Sequence, residues 1–125
     1  MIIGSGIDVV SVARFDRFCR RFDTRGLDRL FTPAEQDYCL NLARATPSLA
    51  ARFAAKEAFL KATGSGLGRG GRWTDIEVVR LESGKPRLCL HARAARVAHE
   101  LGVRRIHLSM SHTAEFAAAT VILEA

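Results

Sequence analysis

A carboxylate and an ammonium lie one helical turn apart in the segment 53–64, FAAKEAFLKATG. At about 100° per residue, Glu57 falls in the middle of an apolar arc that includes Phe53 and Leu60, and Lys61 lies directly above it. An ionised carboxylate in such an arc is costly unless it is paired or holds a metal. Two interpretations remain open here. One is a half-buried ion pair that stabilises the helix by about 0.2–0.5 kcal/mol, and the other is a catalytic or metal-binding carboxylate with Lys61 beside a phosphate.

Asp8 is a second acid in an unusual position, near the end of the apolar run GIDVV at positions 6–10. Alone, an aspartate at a strand end is most often a turn or capping residue. Together with Glu57 it would form a pair of carboxylates that suits Mg²⁺, which binds one or two carboxylates and substrate phosphates. Lys61 and the arginines of the loop 64–72 would supply positive charge for such phosphates, although a glycine-rich loop by itself is typical of a flexible connector.

The histidines and cysteines indicate neither a zinc site nor covalent catalysis. The four histidines lack the paired spacing of zinc ligands. Cys19, Cys39 and Cys89 are odd in number and widely spaced, which is typical of reduced core residues. No Gly-x-Ser-x-Gly motif or Cys–His pattern marks a nucleophile. The residues therefore indicate a group-transfer enzyme that uses a metal and electrostatics, with the nucleophile supplied by a substrate.

The two acids would be carried by a strand and a helix. The segment 2–10 is predicted to be a strand, in which Gly4 and Gly6 indicate a bulge or the close approach of another backbone. Pro47 is expected to open the central helix, and Gly64 to end it as a C-terminal glycine. The helical period places Arg52, Lys56 and Thr63 on the side opposite the apolar arc.

The remaining pattern predicts three more helices and four more strands. The predicted helices are 11–23, 32–44 and 92–101, and a short helical turn is expected at 27–31. The first helix carries the apolar stripe Val12, Phe15, Cys19 and Phe22. The second starts with a capping box formed by Thr32 and Glu35. The predicted strands are 73–81 and 86–90, which form a hairpin, then 104–111, and 116–123, which is apolar enough to be buried on both faces.

Size and charge bound the possible functions. A chain of 125 residues is expected to form one domain. Its net charge of +6 indicates an anionic partner, which could be a nucleic acid, a phosphorylated cofactor or an acidic protein. No apolar run is long enough for a membrane span, and no signal peptide precedes the first strand, so we expect a soluble, cytoplasmic protein.

A basic nucleic-acid-binding module is the alternative that the charge favours. The chain contains one Tyr and one Trp, and no motif of stacking aromatic residues like that of an RNA-recognition domain. A buried Glu–Lys pair would also have no role in such a module. We therefore expect no nucleic acid and no membrane among the partners.

Four segments, in order along the chain, resemble the motifs of the holo-[acyl-carrier-protein] synthase family, the small 4′-phosphopantetheinyl transferases. They are Gly4–Val10, Arg52–Ala62 with Gly64–Gly66, Gly84–Pro86 and His107–His112. The resemblance covers nearly the whole chain, and its helix motif is highly specific. It implies an α+β fold in a single domain, residues 1–125, with helices packed on a curved antiparallel sheet.

The resemblance also implies an activity. The enzyme would transfer 4′-phosphopantetheine from coenzyme A to a serine hydroxyl of an apo acyl carrier protein and release adenosine 3′,5′-bisphosphate. Asp8 and Glu57 would hold Mg²⁺ on the pyrophosphate, and Lys61 would stabilise charge at the scissile phosphate or assist the leaving group. The serine needs a base, either a metal-bound hydroxide or Glu57 through a water. The residues implied for the coenzyme site are Arg52, Lys61, Gly64, Ser65, Gly66, Lys85, Pro86, Ser111 and His112.

Members of the small class form homotrimers with the active site between subunits. The larger, monomeric class carries an acidic residue two places after the first aspartate, where this chain has Val10, and this favours the small class. We expect the closing strands, with Ile106, Leu108 or Met110 nearby, to meet their symmetry mates. An inactive relative that only binds carrier proteins is a further alternative, but the presence of Asp8 and Glu57 together with Lys61 argues against it.

The first predicted helix carries a basic stripe with one aromatic residue at its edge. Its members are Arg14, Phe18, Arg21 and, if the helix extends that far, Arg25. A solvated arginine face is the ordinary interpretation of such a stripe. Because the implied substrate is an acidic helical carrier protein, we instead predict that the stripe is the docking surface, on which charges steer the partner and the aromatic ring is buried.

Overall fold

The computed structural model describes residues 1–125 and confirms the α+β class. The elements in chain order are β1 (Ile2–Ser11), α1 (Val12–Leu30), α2 (Pro33–Leu40), α3 (Ala45–Thr63), β2 (Ile76–Arg80), β3 (Pro86–Leu90), α4 (Ala92–Glu100), β4 (Arg105–His112) and β5 (Phe116–Glu124). A short 3₁₀ turn, Trp73–Asp75, precedes β2. The strands form two antiparallel sheets, ordered β1-β5-β4 and β2-β3. None of the helices combines the length and the apolar character of a bilayer span.

The core is built around α3, which packs against the strands of the larger sheet on one side and against α1, α2 and β2 on the other. The side of this helix opposite the predicted apolar arc carries Arg52 and Lys56. The second layer covers this side as well, so the exposed fraction is 2% for Arg52 and 0% for Lys56. The buried residues are Ser48, Leu49, Ala50, Ala51, Arg52, Ala54, Ala55, Lys56, Ala58, Phe59 and Leu60.

Lys56 is compensated by a buried carboxylate. Its Nζ lies 2.7 Å from Glu35 Oε1 and donates a second hydrogen bond to the carbonyl of Trp73 at 3.0 Å. Glu35 forms the predicted capping box with Thr32, and its Oε2 accepts from the backbone N–H of Val78. Burial lowers the pKa of Lys56, and the Glu35 carboxylate opposes that shift. The capping residue therefore also ties α2 to α3 and β2.

β1 lies directly against α3 because two of its residues lack side chains. A Cβ atom on Gly4 would collide with the carbonyl oxygen of Ala62, and one on Gly6 with the carbonyl oxygen of Ala58. The predicted close approach of a second backbone is therefore confirmed. The strand also shifts register against β5 between Ile2 and Gly4, so the predicted bulge is present as well.

The burial of Phe22 and three helix boundaries differ from the expectations. α1 runs to Leu30, with a break at Asp23, whose φ of 55° and ψ of −145° are not helical. Phe22, expected in the core stripe, is 46% exposed because it sits where the helix is interrupted. α2 ends at Leu40, four residues earlier than predicted, and α3 begins at Ala45, before Pro47.

β5 is covered on only one face within a single chain. Its residues at 117, 119, 121 and 123 are buried, whereas Phe116 and Ile122 on the alternate face are 53% and 38% exposed. Ile7 and Val9 of β1, on the same face, are 60% and 61% exposed. We call this side of the sheet, turned away from α3, the outer sheet face. The prediction that both faces of β5 are buried is thus not met within one chain.

Candidate active site

The crossing of β1 and α3 brings Asp8, Glu57 and Lys61 to one place. Lys61 Nζ lies 3.0 Å from Asp8 Oδ1 and donates to the carbonyl of Ile7 at 2.9 Å. The Asp8 side chain is 15% exposed and that of Lys61 is 54% exposed. The ammonium therefore fixes the aspartate from one side and stays accessible to a ligand from the other.

Glu57 and Asp8 together bring two negative charges to this site, and Lys61 neutralises only one of them. Burial is the main cause that raises the pKa of Glu57, the charge of Asp8 raises it further, and Lys61 partly opposes both. Two carboxylates close together in an open site are a donor set that a divalent cation stabilises. Oxygen donors and room for waters and phosphates are what magnesium requires. The residues present therefore fit Mg²⁺.

These three side chains lie along a cavity of about 730 Å³, large enough for a drug-sized or nucleotide-sized ligand. Besides Lys61, the positively charged lining comes from α1, and the aromatic lining comes from α1, α3 and the turn before β2. The arginines are Arg14, Arg25 and Arg29, and the aromatic residues are Phe15, Phe18, Phe22, Phe53 and Trp73. A ligand with both phosphate groups and an apolar part would find a matching surface for each.

The aromatic side of the cavity is a continuous cluster of rings. The ring centroids of Phe53 and Trp73 are 5.0 Å apart, those of Phe15 and Phe53 are 5.5 Å apart, and those of Phe18 and Phe22 are 4.8 Å apart. Sequence reasoning treated Phe53 as core and assigned no function to Trp73. The helical period was the available signal, since it places Phe53 on the same arc as Glu57.

Comparison with known families decides the assignment. The family model described as the 4′-phosphopantetheinyl transferase superfamily matches residues 4–121. The chain belongs to this superfamily. Residues 4–121 include Asp8, Glu57 and Lys61, so the match spans both elements that build the site.

Individual relatives narrow the family. A holo-[acyl-carrier-protein] synthase from Koribacter versatilis is 52% identical over 124 residues, which cover 99% of each chain. The solved holo-[acyl-carrier-protein] synthase from Neisseria meningitidis superposes with a TM-score of 0.92 at 34% identity, covering 100% of both chains. The holo-[acyl-carrier-protein] synthase from Helicobacter pylori, solved in complex with coenzyme A, superposes with a TM-score of 0.84 at 31% identity. The match covers 96% of this chain and 99% of the other. These likenesses confirm the resemblance of the motifs, and the enzyme is a phosphopantetheinyl transferase.

The basic stripe of the transferase divides into two parts. Arg14, Phe18 and Arg25 line the cavity together with the two acids, whereas Arg21 is not part of its lining. The guanidinium of Arg21 lies over the ring of Phe22, 5.4 Å from its centroid. The break in α1 explains how Arg25 reaches the cavity, because the second part of the helix starts in a new direction. Docking on this stripe remains a prediction.

Arg52 is the predicted coenzyme residue that the structure does not bring to the acids. It precedes Glu57 by five residues, about 140° around the helix, and faces the opposite layer. One guanidinium nitrogen donates to Ser48 Oγ at 2.8 Å, and the group lies 4.6 Å from the centroid of the Tyr38 ring. Its Nε is buried without a hydrogen-bond partner. Within one chain, Arg52 therefore contributes to packing between α2 and α3 and does not reach the cavity.

Apart from Lys61, the other residues implied for the coenzyme site lie outside the cavity lining. Gly64 has a φ of 71° and ends α3, so the loop that follows it starts one turn beyond Lys61. Lys85 and Pro86 belong to the β2–β3 hairpin. Ser111 is on the outer sheet face. His112 of β4 pairs with Ala117 of β5 and so lies on the same face of the sheet as Asp8, two strands away. Their roles remain predictions, as do those of Ser65 and Gly66.

Proposed function

We propose that this transferase moves the 4′-phosphopantetheinyl group of coenzyme A to a serine hydroxyl of an acyl carrier protein, with Mg²⁺ as cofactor. The supporting observation is that Asp8, Glu57 and Lys61 converge on one cavity with arginines along its lining. Relatives of about half identity are named holo-[acyl-carrier-protein] synthases, and one solved relative holds coenzyme A. A cytoplasmic location, consistent with three free cysteines, belongs to the same proposal.

The proposed reaction is a displacement at phosphorus. The serine oxygen attacks the phosphorus that bears the pantetheine arm, and the bond from that phosphorus to the bridging oxygen breaks. Adenosine 3′,5′-bisphosphate leaves with the electron pair, and the serine proton passes to a base. Such transfers depend on positioning and charge neutralisation more than on covalent help from the protein.

Each residue of the site has a task in this scheme. Asp8 and Glu57 would hold Mg²⁺, which when bound neutralises charge on the pyrophosphate. Lys61 already makes two hydrogen bonds, to Asp8 and to the carbonyl of Ile7, and its third N–H is left for a phosphate oxygen. The raised pKa of Glu57 suits this carboxylate to accept a proton, so we assign it the serine proton through a water.

We also propose that the enzyme works as a homotrimer. Antiparallel sheets with one wet face normally carry polar residues on it. Here the outer sheet face presents the apolar side chains of Ile7, Val9, Phe116 and Ile122. A neighbouring subunit that covers this face would also bring its own β4 end and hairpin towards the cavity. Ser111, His112, Lys85 and Pro86 would then complete the coenzyme site from a second chain.

The direct test is transfer with purified components. The protein is incubated with coenzyme A, Mg²⁺ and an apo acyl carrier protein, and the carrier is analysed by intact mass spectrometry. The expected result is a mass increase of one phosphopantetheinyl group that disappears when the carrier serine is replaced by alanine. An unmodified carrier bound by the protein would instead identify an inactive carrier-binding relative. Binding of nucleic acid without transfer would favour the basic module.

A further inference from the structure

A second cluster of ligand atoms lies on the β2–β3 hairpin. Glu77 and Cys89 are directly paired across the two strands, and His91 follows Cys89 by two residues, on the same side of the chain. A carboxylate oxygen of Glu77, the Cys89 sulfur and a ring nitrogen of His91 all lie within 4.8 Å of one another. None of these three residues lines the cavity that contains Asp8 and Glu57.

We propose that Glu77, Cys89 and His91 form a binding site for Zn²⁺. Thiolate, imidazole and carboxylate are the zinc ligands of proteins, and three protein ligands with a water in the fourth position is a common arrangement. Zn–ligand bonds of about 2.0–2.3 Å place neighbouring ligand atoms roughly 3–4 Å apart. Glu77 Oε1 and His91 Nε2 are already 3.0 Å apart. The 48% exposure of the His91 side chain leaves the fourth position open to water.

The carboxylate is oriented for this role from outside the cluster. Thr32 Oγ1 donates to Glu77 Oε2 at 2.6 Å, which leaves Oε1 turned towards His91. Hydrogen bonds of this kind to a ligating carboxylate are typical of protein metal sites and strengthen binding about 10–100-fold.

The chemistry of the site separates it from the catalytic one. A thiolate and an imidazole favour borderline metals, whereas magnesium takes oxygen ligands, so excess Mg²⁺ does not occupy this cluster. His91 occupies the N-cap position of α4, and Thr32 caps α2. Bound Zn²⁺ would thus link β2 and β3 to the starts of two helices. We expect it to stabilise the folded protein.

The test uses Zn²⁺ alone, added to the full-length protein in excess Mg²⁺ to fill the catalytic acids. Competition with a colorimetric chelator should give one tightly bound Zn²⁺ per chain, and the thermal midpoint should rise with Zn²⁺ concentration, as for any ligand of the folded state. Co²⁺ in place of Zn²⁺ should produce a thiolate-to-metal charge-transfer band. Absence of stoichiometric Zn²⁺ binding, or a Co²⁺ spectrum without that band, would overturn the proposal.

Variants assign the ligands. Cys89→Ser should remove the charge-transfer band, and His91→Gln should weaken Zn²⁺ binding by about tenfold or more. His91 is exposed, so its variant is expected to fold, which circular dichroism without metal checks. His99→Gln, on α4, and Cys19→Ser are the matched controls and should bind like the wild type. Burial, followed by the charge of Asp16, raises the pKa of Cys19 to about 11 and so disfavours its thiolate. Unchanged binding by Cys89→Ser would refute the site.

Discussion

Gly6 of β1 lies so close to Ala58 of α3 that a Cβ atom on the glycine would overlap the alanine's carbonyl oxygen. This contact sets the distance between the strand and the helix. Asp8 follows Gly6 by two residues and Lys61 follows Ala58 by three, so the same crossing determines whether the ammonium reaches the carboxylate at 3.0 Å. The glycine therefore acts on the site through the backbone.

We expect Gly6→Ala to impair both stability and transfer. The obstacle is helix backbone, which cannot rotate away as a side chain could, and overpacking of this kind costs about 1–3 kcal/mol. Relaxation of the strand would separate Asp8 from Lys61, so kcat should fall in the fraction that stays folded. Urea unfolding and steady-state transfer measure the two effects. His99→Ala, at an exposed position of α4, is the control and should resemble the wild type.

Two lysines on α3 should separate stability from catalysis. Lys56→Met leaves the buried carboxylate of Glu35 without its cation, and such a loss costs about 3–5 kcal/mol. Lys61→Met removes a half-exposed ion pair, which contributes about 0–1 kcal/mol, yet it should abolish most transfer because Lys61 faces the cavity. Denaturation midpoints and transfer rates of both variants give the comparison. Equal loss of stability in the two variants would contradict this division of roles.

Glu57→Gln should lose transfer activity without loss of stability. A carboxyl whose pKa is raised on folding binds its proton more tightly in the folded state, so its charge opposes folding once the pH exceeds the ordinary value of 4.5. The variant lacks that charge. It should therefore be at least as stable as the wild type at pH 7, with the difference vanishing as the pH falls below the ordinary carboxyl range.

The same variant should reduce kcat by about 100-fold or more, since it removes both a metal ligand and the proton acceptor. For the wild-type enzyme, transfer should fall as the pH drops, because protons compete with Mg²⁺ for the Glu57 carboxylate. Glu100→Gln, an exposed carboxylate on α4, is the control for the loss of charge. A transfer rate of Glu57→Gln near that of the wild type at saturating Mg²⁺ would refute the assignment.

Local signals in the sequence were sufficient for the caps and for the close crossing. Thr32 and Glu35 formed the predicted capping box because both partners lie within one turn. Gly4 and Gly6 predicted a bulge or the close approach of another backbone, because a glycine inside a strand often marks one of these features. Glu57 was selected as a candidate site residue on a local signal too, since it interrupts the apolar pattern of its own helix.

Residues whose environment comes from distant segments were not predictable in this way. The helical period placed Lys56 opposite the apolar arc, but it cannot show that a second layer covers that side of α3. Its partner Glu35 lies 21 positions away, and no local pattern connects them. Glu77, Cys89 and His91 likewise come together only through the register of two strands, which the spacing of the histidines alone did not reveal.

The exposed apolar side chains of the outer sheet face predict that the protein is a homotrimer. If three chains bury this face, light scattering coupled to gel filtration should give three times the mass of the chain at micromolar concentration. Ile122→Lys places a charge in the middle strand of this face and should dissociate the trimer and reduce transfer together. Leu101→Lys changes an exposed leucine at the end of α4 and should do neither. A wild-type protein that is a stable monomer would refute the trimer and leave the shared coenzyme site without support.

The division of the basic stripe predicts different kinetic effects for two arginines. Arg21 is exposed and outside the cavity lining, so Arg21→Glu should raise KM for the carrier protein, by roughly tenfold, and leave KM for coenzyme A unchanged. Arg14 lines the cavity beside the acids, so Arg14→Glu should raise KM for coenzyme A as well.

Salt and a third arginine complete this test of docking. Exposed charges are screened beyond about 10 Å at 0.1 M salt, so added salt should raise KM for the carrier in the wild type more than in Arg21→Glu. Arg96→Glu makes the same charge reversal on α4 and should change neither KM, because α4 is not part of the stripe. If Arg21→Glu and Arg96→Glu behave alike, the Arg21 part of the stripe is only a solvated surface, and the carrier must approach the cavity from another side.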